Sequence, residues 1–527
     1  MTALALAPPP LPTTTAYREA TEKFNQICAQ LQGAPTQMMT HSELETLLES
    51  AGRELLRRLL QAHLDERGPG TTSTPVVDAQ GQRHAHQRRQ ERTLASLFGP
   101  VSVTRTGYGG RGLPSLQPLD AALNLPPERY SHSLRQRVAQ TAAVTSFDEV
   151  VTQLRQHTGS AVPKRQAEAL AQRAAQDFEA FYAQDAPARV VAAPAATDIL
   201  VLSTDGKGIP LRAVDLRPVT RAAAATRHHK LQQRCSRGEQ RGSKRLGTVA
   251  AVYTSAPFVR TAEQILSELR PPAQALPVER PRAQDKRVWA SVAQAPQEVI
   301  RQAFAEAERR DPTRAQRWAV LVDGSGYQLK IVRLVAREYE VQATIVLDFI
   351  HVCEYVWGAA WSLFAEGDAA AETWVRTRLR EILRGRSSLV AAGMRRSATR
   401  RGLSAKERQG VEKCANYLLK YRDYLHYDEY LAAGLPIATG VIEGACRHLV
   451  KDRMELTGAR WRLAGAEAVL RLRSLRASGD WEAYWTFHWQ QEYQLHHARQ
   501  YALGKVPALA TSTPAPTNPH PHLRLVI

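Results

Sequence analysis

Three short stretches limit most strongly what this chain can fold into: ILVLSTDG (199–206), RWAVLVDG (317–324) and ATIVLDFIH (343–351). Each is an apolar run without alternation that closes on an aspartate, as expected of a strand buried on both faces. LGTVAAVYT (246–254) reads as a further strand, and Gln297–Arg310 and Leu329–Glu338 read as helices. Strands separated by helices predict an α/β sheet. A doubly buried strand cannot hold a charge in its middle, so Asp205, Asp323 and Asp348 are expected together at the carboxyl rim of that sheet. The glycines after Asp205 (STDGKGIP) and Asp323 (LVDGSG) predict tight turns there.

The rest of the chain divides around this sheet. Residues 1–14 are Pro/Thr-rich and expected to be disordered, and 15–120 to form a helical and hairpin region. Its helix falls at Ser42–Arg67 and its hairpin at Thr93–Tyr108. A helix–turn–helix pattern lies in 121–190, with FDEVVTQLRQHTG followed by PKRQAEALAQRAAQDF. It is either a DNA-reading unit with Lys164 and Arg165 at the start of the recognition helix, or a plain helical hairpin with a solvated basic edge. The sheet domain is expected to run over 195–351, to be interrupted by an all-α insertion at 352–435, and to resume as helices over 436–505. Residues 506–527 read as a disordered tail.

Lysine and arginine number 70 against 51 acids, an excess of 19 positive charges that favours a polyanionic partner. Five cysteines without CxxC spacing exclude a zinc ribbon and a dense disulfide scaffold and suit a reducing cytoplasm. The opening MTALALAPPPLPTTT has no basic start and no sustained apolar core, so no secretory signal or membrane contact is expected. The segment 217–245 is too basic to pack and is a candidate loop for gripping a phosphate backbone, or simply disordered. His84 and His86 have ligand-like spacing but read better as part of a solvated basic segment. WEAYWTFHW (481–489) reads as core or as an oligomer contact.

Acidic side chains gathered at one rim repel one another, and hard divalent cations relieve that repulsion. Two such ions about 4 Å apart can activate an attacking hydroxyl and stabilise a leaving oxygen in phosphoryl displacement. Asp205 and Asp323 share the pattern of apolar strand then Asp-Gly-x-Gly. Asp348 with His351 forms a third edge, or else a helix N-cap with a histidine packed nearby. Glu443 lies near the start of a helix in GLPIATGVIEGACRHLVKDRM. There Arg447 and Lys451, at i+4 and i+8, are expected on its face, either beside a metal and its phosphates or in simple ion pairs.

The strings STDGKGIPLR, LVDGSG, DFIHVCEYVW and GVIEGACRHLVKDRMELTGARWRLAGAEAVLRLRSLRASGDWEAYW, with RTLASLFGPVSVTRTGY and SHSLRQRVAQTAAVTSFDEVV upstream, resemble the Kra-type family of bacterial insertion-sequence transposases. The resemblance runs colinearly over roughly residues 85–500. It implies a DDE-class enzyme with an RNase H-like catalytic core, in which Asp205 on the first strand, Asp323 after the fourth and Glu443 after the insertion are catalytic and hold two Mg²⁺ or Mn²⁺ ions. Asp348 is the alternative second carboxylate, with His351 as its accessory. The implied activity is cleavage at element ends and strand transfer into target DNA. The implied partners are terminal inverted repeats, target DNA and a second copy of the chain, in the bacterial cytoplasm at the nucleoid. Lys164, Arg165, Lys207, Arg227, Lys230, Arg447, Lys451, Arg453 and Trp461 are the expected DNA contacts, Trp461 being alternatively a core residue. A two-metal nuclease that does not join ends, and a DNA binder that has lost catalysis, are the rival readings.

Overall fold

The computed structural model describes residues 15–184, 197–226, 243–269, 279–365, 367–456 and 458–510. The chain forms two compact units, one of residues 1–182 and 482–527, the other of residues 183–481. The expected run of core helices to residue 505 is therefore divided at 481/482. No helix among the described residues is long and apolar enough to cross a membrane.

In the first unit, α1 (Arg18–Gln32) packs against α2 (His41–Glu66), whose capping box joins Thr40 and Glu43. A sheet of β1 (His86–Ser96), β2 (Gly99–Gly110) and β3 (Leu113–Leu116) carries the expected hairpin, extended well beyond Thr93 at its basic end. Helices α3 (His132–Ala142), α4 (Phe147–His157) and α5 (Lys164–Ala174) pack on one another, with Ser131 and Ser146 capping the first two. Pro163 is the N-cap of α5 rather than its first residue. Lys164 and Arg165 are exposed at that end, and Lys164 pairs with Asp148 at 2.7 Å.

Two expectations for this unit need correction, and of the two readings of WEAYWTFHW the core one holds. His84 is buried, its Nε2 3.0 Å from Asp78 Oδ2, and only His86 lies on the surface. WEAYWTFHW opens the last long helix of the chain, and its Tyr484, Trp485 and His488 are core residues. Residues 506–510 are ordered, with Leu509 bridging to Thr72 and the Ala510 N–H donating to Thr71 O. Residues 1–14 and 511–527 lie outside the described residues.

The second unit is built on a five-stranded mixed sheet: β4 (Ile199–Pro210), β5 (Lys244–Ser255), β6 (Gln284–Ser291), β7 (Arg317–Val322) and β8 (Thr344–Leu347). Their order is β8-β7-β4-β5-β6. The first three strands in sequence form an antiparallel meander, each antiparallel to the next, and β7 and β8 run parallel to β4. β6 is a strand that the sequence pattern does not announce. Its polar start, QDKR, is paired because β5 offers a free edge, and the strand is buried from Arg287 onward.

Helices α7 (Pro296–Arg310), α8 (Gly326–Glu338) and α14 (Leu463–Ser478) belong to this unit; α7 and α14 pack on the sheet, and α8 packs on α7. Glu467 of α14 accepts from Ser291 Oγ and from the Val292 and Ala293 N–H groups, which caps the end of β6. From α9 (Phe349–Ala360) through α10 (Ala369–Leu383), α11 (Ser387–Arg400) and α12 (Gln409–Lys420), the described residues to 435 are helical or in turns, as expected of an all-α insertion. The insertion ties back to the sheet edge through the Tyr427 hydroxyl, which donates to Leu347 O at 2.8 Å. The 217–245 segment is not uniformly loop: α6 (Pro218–Ala225) is a helix, Lys244 and Arg245 belong to β5, and 227–242, with the expected contacts Arg227 and Lys230, lies outside the described residues.

Candidate active site at the carboxyl rim of the sheet

The pairing register sets the three aspartates in one row. Ser203 pairs with Leu321, and Val322 with Leu347. Continued past the strand ends, that register brings Asp205 level with Asp323 and Asp323 level with Asp348. Neighbouring strands are about 4.8 Å apart, so Asp323 occupies the middle of a row roughly 10 Å long. One expectation is corrected. Asp205 does not end its strand, because β4 continues through Gly206 and Gly208 in extended conformation, paired with Thr248 and Leu246 of β5. β7 stops at Val322, and that is what exposes Asp205 on one side. The turn expected after Asp323 is present: Gly324 has φ +90°, a conformation that favours glycine.

The Asp205 carboxylate is held at both oxygens. Oδ1 accepts from the Gly206 N–H at 2.6 Å, and Oδ2 from the Cys446 thiol at 3.1 Å. Cys446 lies three residues beyond Glu443, so this bond anchors the Glu443 helix to the central strand. Burial, then the Asp205 charge, hold the thiol protonated. Asp323 Oδ1 accepts from the Ser325 N–H at 2.9 Å.

Asp348 is fully buried and caps α9. Its Oδ1 accepts from the N–H groups of Ile350 and Thr439, and its Oδ2 from His351 Nδ1 at 2.7 Å. Thr439 directly precedes α13 (Gly440–Ala445), the helix of Glu443, so Asp348 also positions that helix. Both readings of Asp348 are thus realised in one residue, an N-cap that stands in the site. The ligand atoms of Asp348, His351 and Glu443 all lie within 4.8 Å of one another, the one group of this kind found among the described residues.

Proximity and lone-pair accounting point to different aspartates as the second metal-facing carboxylate. A carboxylate has about four acceptor sites, and Asp348 has committed three of them to groups that fix the backbone and His351. Asp323 is partly exposed, and among the described residues no hydrogen bond reaches its Oδ2. Asp323 thus has the more accessible lone pairs, while those of Asp348 fix the α9 and α13 backbones and His351.

The charge balance leans negative. Burial, then the charges of Asp348 and, further down, Asp205 and Glu354, raise the Glu443 carboxyl above its ordinary value, against His351. The Asp348 hydrogen bond, working against burial, lifts the His351 imidazole to about 9, so the ring is doubly protonated at neutral pH. Because the folded value lies above the free-histidine value near 6.5, the stabilisation from this pair is complete below about pH 6.5 and fades as pH rises through about 9. In the metal-free protein, an NMR titration of the His351 ring is expected to centre near pH 9 and to fall toward 6.5 in Asp348→Asn. A midpoint near 6.5 in the parent protein would refute the pairing.

No family model and no curated protein matches the chain.

The remaining expected contacts distribute unevenly. Arg447 and Lys451 are exposed, and Lys207 is partly so. Residues 446–451 form a π-helical turn, so the α-helical spacing that would stack Lys451 over Glu443 is not kept. Arg473 of α14 supports this turn by donating to His448 O and Leu449 O. Arg453 is only 2% exposed and lies over the ring of Trp461, which is 7% exposed and donates its indole N–H to Met454 O. Trp461 is also stitched by backbone bonds to Pro210 and Arg212 at the end of β4. Neither residue presents a surface to DNA, and both serve to pack the Glu443 segment. Cys446 and Thr439 are site residues that the sequence reading missed. The i+3 spacing of Cys446 from Glu443 was the available signal for the first; Thr439 carries none, since its backbone makes the contact.

Proposed function

We propose that the chain is a DDE-class DNA transposase, cutting at element ends and joining the freed ends to target DNA, with an RNase H-like core. The observation that carries this reading is the convergence of Asp205, Asp323 and Glu443, widely separated in sequence, at one rim. The Glu443 helix is fastened to Asp205 through Cys446, and Asp323 stands one strand away. Support for the core comes from the strand order β8-β7-β4-β5-β6, with three antiparallel strands followed by two parallel ones and an acidic helix after them.

The donor set suits hard divalent cations. It consists of carboxylate oxygens, and the Glu443 carboxyl is raised first by burial and then by the Asp348 charge, both of which a bound cation would offset. Two Mg²⁺ or Mn²⁺ ions held by Asp205, Asp323 and Glu443 would supply Lewis acidity to the attacking and leaving oxygens. The chain's own residues do the rest. Cys446 and Gly206 fix the Asp205 carboxylate, Asp348 fixes both the Glu443 helix and His351, and the His351 Nε2 proton is available to a phosphate oxygen. Lys207, Arg447 and Lys451 supply exposed positive charge on the segments next to Asp205 and Glu443. Lys164 and Arg165 at the start of α5 are the proposed end-reading residues of the other unit. Two ends require two active sites, so a dimer or larger assembly on DNA is part of the proposal, as is a place at the bacterial nucleoid.

The test uses duplexes ending in the sequences that flank the gene, supplied uncut and with a pre-formed 3′ hydroxyl, with plasmid as target. Joined product in Mg²⁺ or Mn²⁺, absent in EDTA, is the expected outcome. Cleavage without any joined product would favour a nuclease, and no reaction on either substrate would remove the proposal.

A further inference from the structure

A groove of about 420 Å³ runs between α8 and the end of α12 in the second unit. Lys330, Arg333 and Arg337 of α8 lie along one wall, at spacings that share one helix face over about 10 Å. Lys420 stands on the other wall beside Tyr421, and Asp423 is the one carboxylate among the lining residues. All four cations are exposed.

The groove begins at the catalytic rim. Gly326, the first residue of α8, lines it and lies three positions after Asp323. The Tyr421 hydroxyl donates to Gly324 O at 2.6 Å, and the buried Tyr417 hydroxyl, which finds no hydrogen-bond partner among the described residues, lies against the same glycine. Lys420 Nζ is 3.5 Å from where a Cβ on Gly326 would sit, at the amino end of α8. A helix amino terminus is the positive end of its dipole, so an anion between it and the Lys420 ammonium, which lies over the Tyr421 ring, would be attracted by both. Tyr327, 64% exposed in the first turn of α8, offers a ring face at the same end.

We propose that this groove takes the sugar-phosphate backbone of the DNA strand leaving the active site. One phosphate sits between Lys420 and the amino end of α8, and the following ones lie along Lys330, Arg333 and Arg337. The inference rests on the transposase reading for which DNA is present, but not on the chemistry. Full-length protein carrying Lys330→Gln, Arg333→Gln and Arg337→Gln, all surface positions, is compared with a control carrying Arg396→Gln, Arg400→Gln and Lys406→Gln. Affinity for a labelled 30-bp duplex is measured by anisotropy over a range of salt concentrations. Each phosphate contact contributes about 0.9 to the slope of log affinity against log salt. The groove variant is expected to show a slope shallower by about 2 to 3, and the control an unchanged one. An unchanged slope in the groove variant, or an equal loss in the control, overturns the proposal while end joining by the parent protein leaves the transposase reading standing. Polyglutamate competing as well as DNA would mean an acidic protein partner and would also overturn it. A parent protein without affinity for DNA would remove both.

Discussion

Asp205→Asn is expected to lower end cleavage and joining by roughly 10³-fold or more, the loss anticipated when several kcal/mol of charge stabilisation is withdrawn from the reacting phosphate. The side chain stands on the central strand, between β5 and the shorter β7, with Cys446 bonded to one oxygen. Asparagine keeps the volume and can still accept from Gly206, so folding should be preserved and the loss should be chemical. Asp348→Asn is expected to fall less, by about 10- to 100-fold, as for a residue that orients others. Equal joining by the Asp205→Asn and parent proteins would sink the assignment. A larger loss at Asp348 than at Asp323 would exchange their roles.

Arg135→Met is expected to destabilise the first unit by about 3 kcal/mol, lowering its melting temperature by roughly 10 °C. Arg135 of α3 is fully buried and donates to Glu492 Oε2 at 2.7 Å. Glu492 lies on α15 (Trp481–His496), more than three hundred residues later. Burial pushes the Glu492 carboxyl up, and the hydrogen bond and charge of Arg135 overcome it, leaving the value below the ordinary one. Removing the guanidinium alone strands a buried charge, with Gln176 still donating to it and His496 3.7 Å away. The double variant Arg135→Met, Glu492→Leu should recover most of the loss, since an apolar pair of similar size often replaces a buried ion pair without penalty. Circular dichroism melting of the full chain reads both. A single variant that melts with the parent would show that α15 does not depend on this contact.

The strands that end in acids were legible because burial on both faces leaves an unbroken apolar string, and such a string allows few other folds. The sequence reading went wrong where a distant partner decides the local conformation. Asp205-Gly206 carries a turn signal, yet β5 supplies a ladder through Lys244 and the strand runs straight on. QDKR carries no apolar pattern to announce a strand, yet it pairs with the free edge of β5. The π turn at 446–451 depends on Arg473, from a helix beyond it, and it displaces the basic face that α-helical spacing predicts. Arg453 and Trp461 have the composition of DNA contacts but the burial of core, a distinction made only by the packing around them. Asp348 could not be resolved into cap or site residue because its carboxylate caps α9 and also lies within 4.8 Å of the ligand atoms of His351 and Glu443.

The central claim is that the rim carboxylates share a pair of cations. Anomalous diffraction from crystals soaked in Mn²⁺ addresses it most directly. Two peaks about 4 Å apart, both in contact with Asp205 and flanked by Asp323 and Glu443, are the predicted result. A single peak on Asp348, His351 and Glu443 with Asp205 uninvolved, or none at the rim, would contradict it.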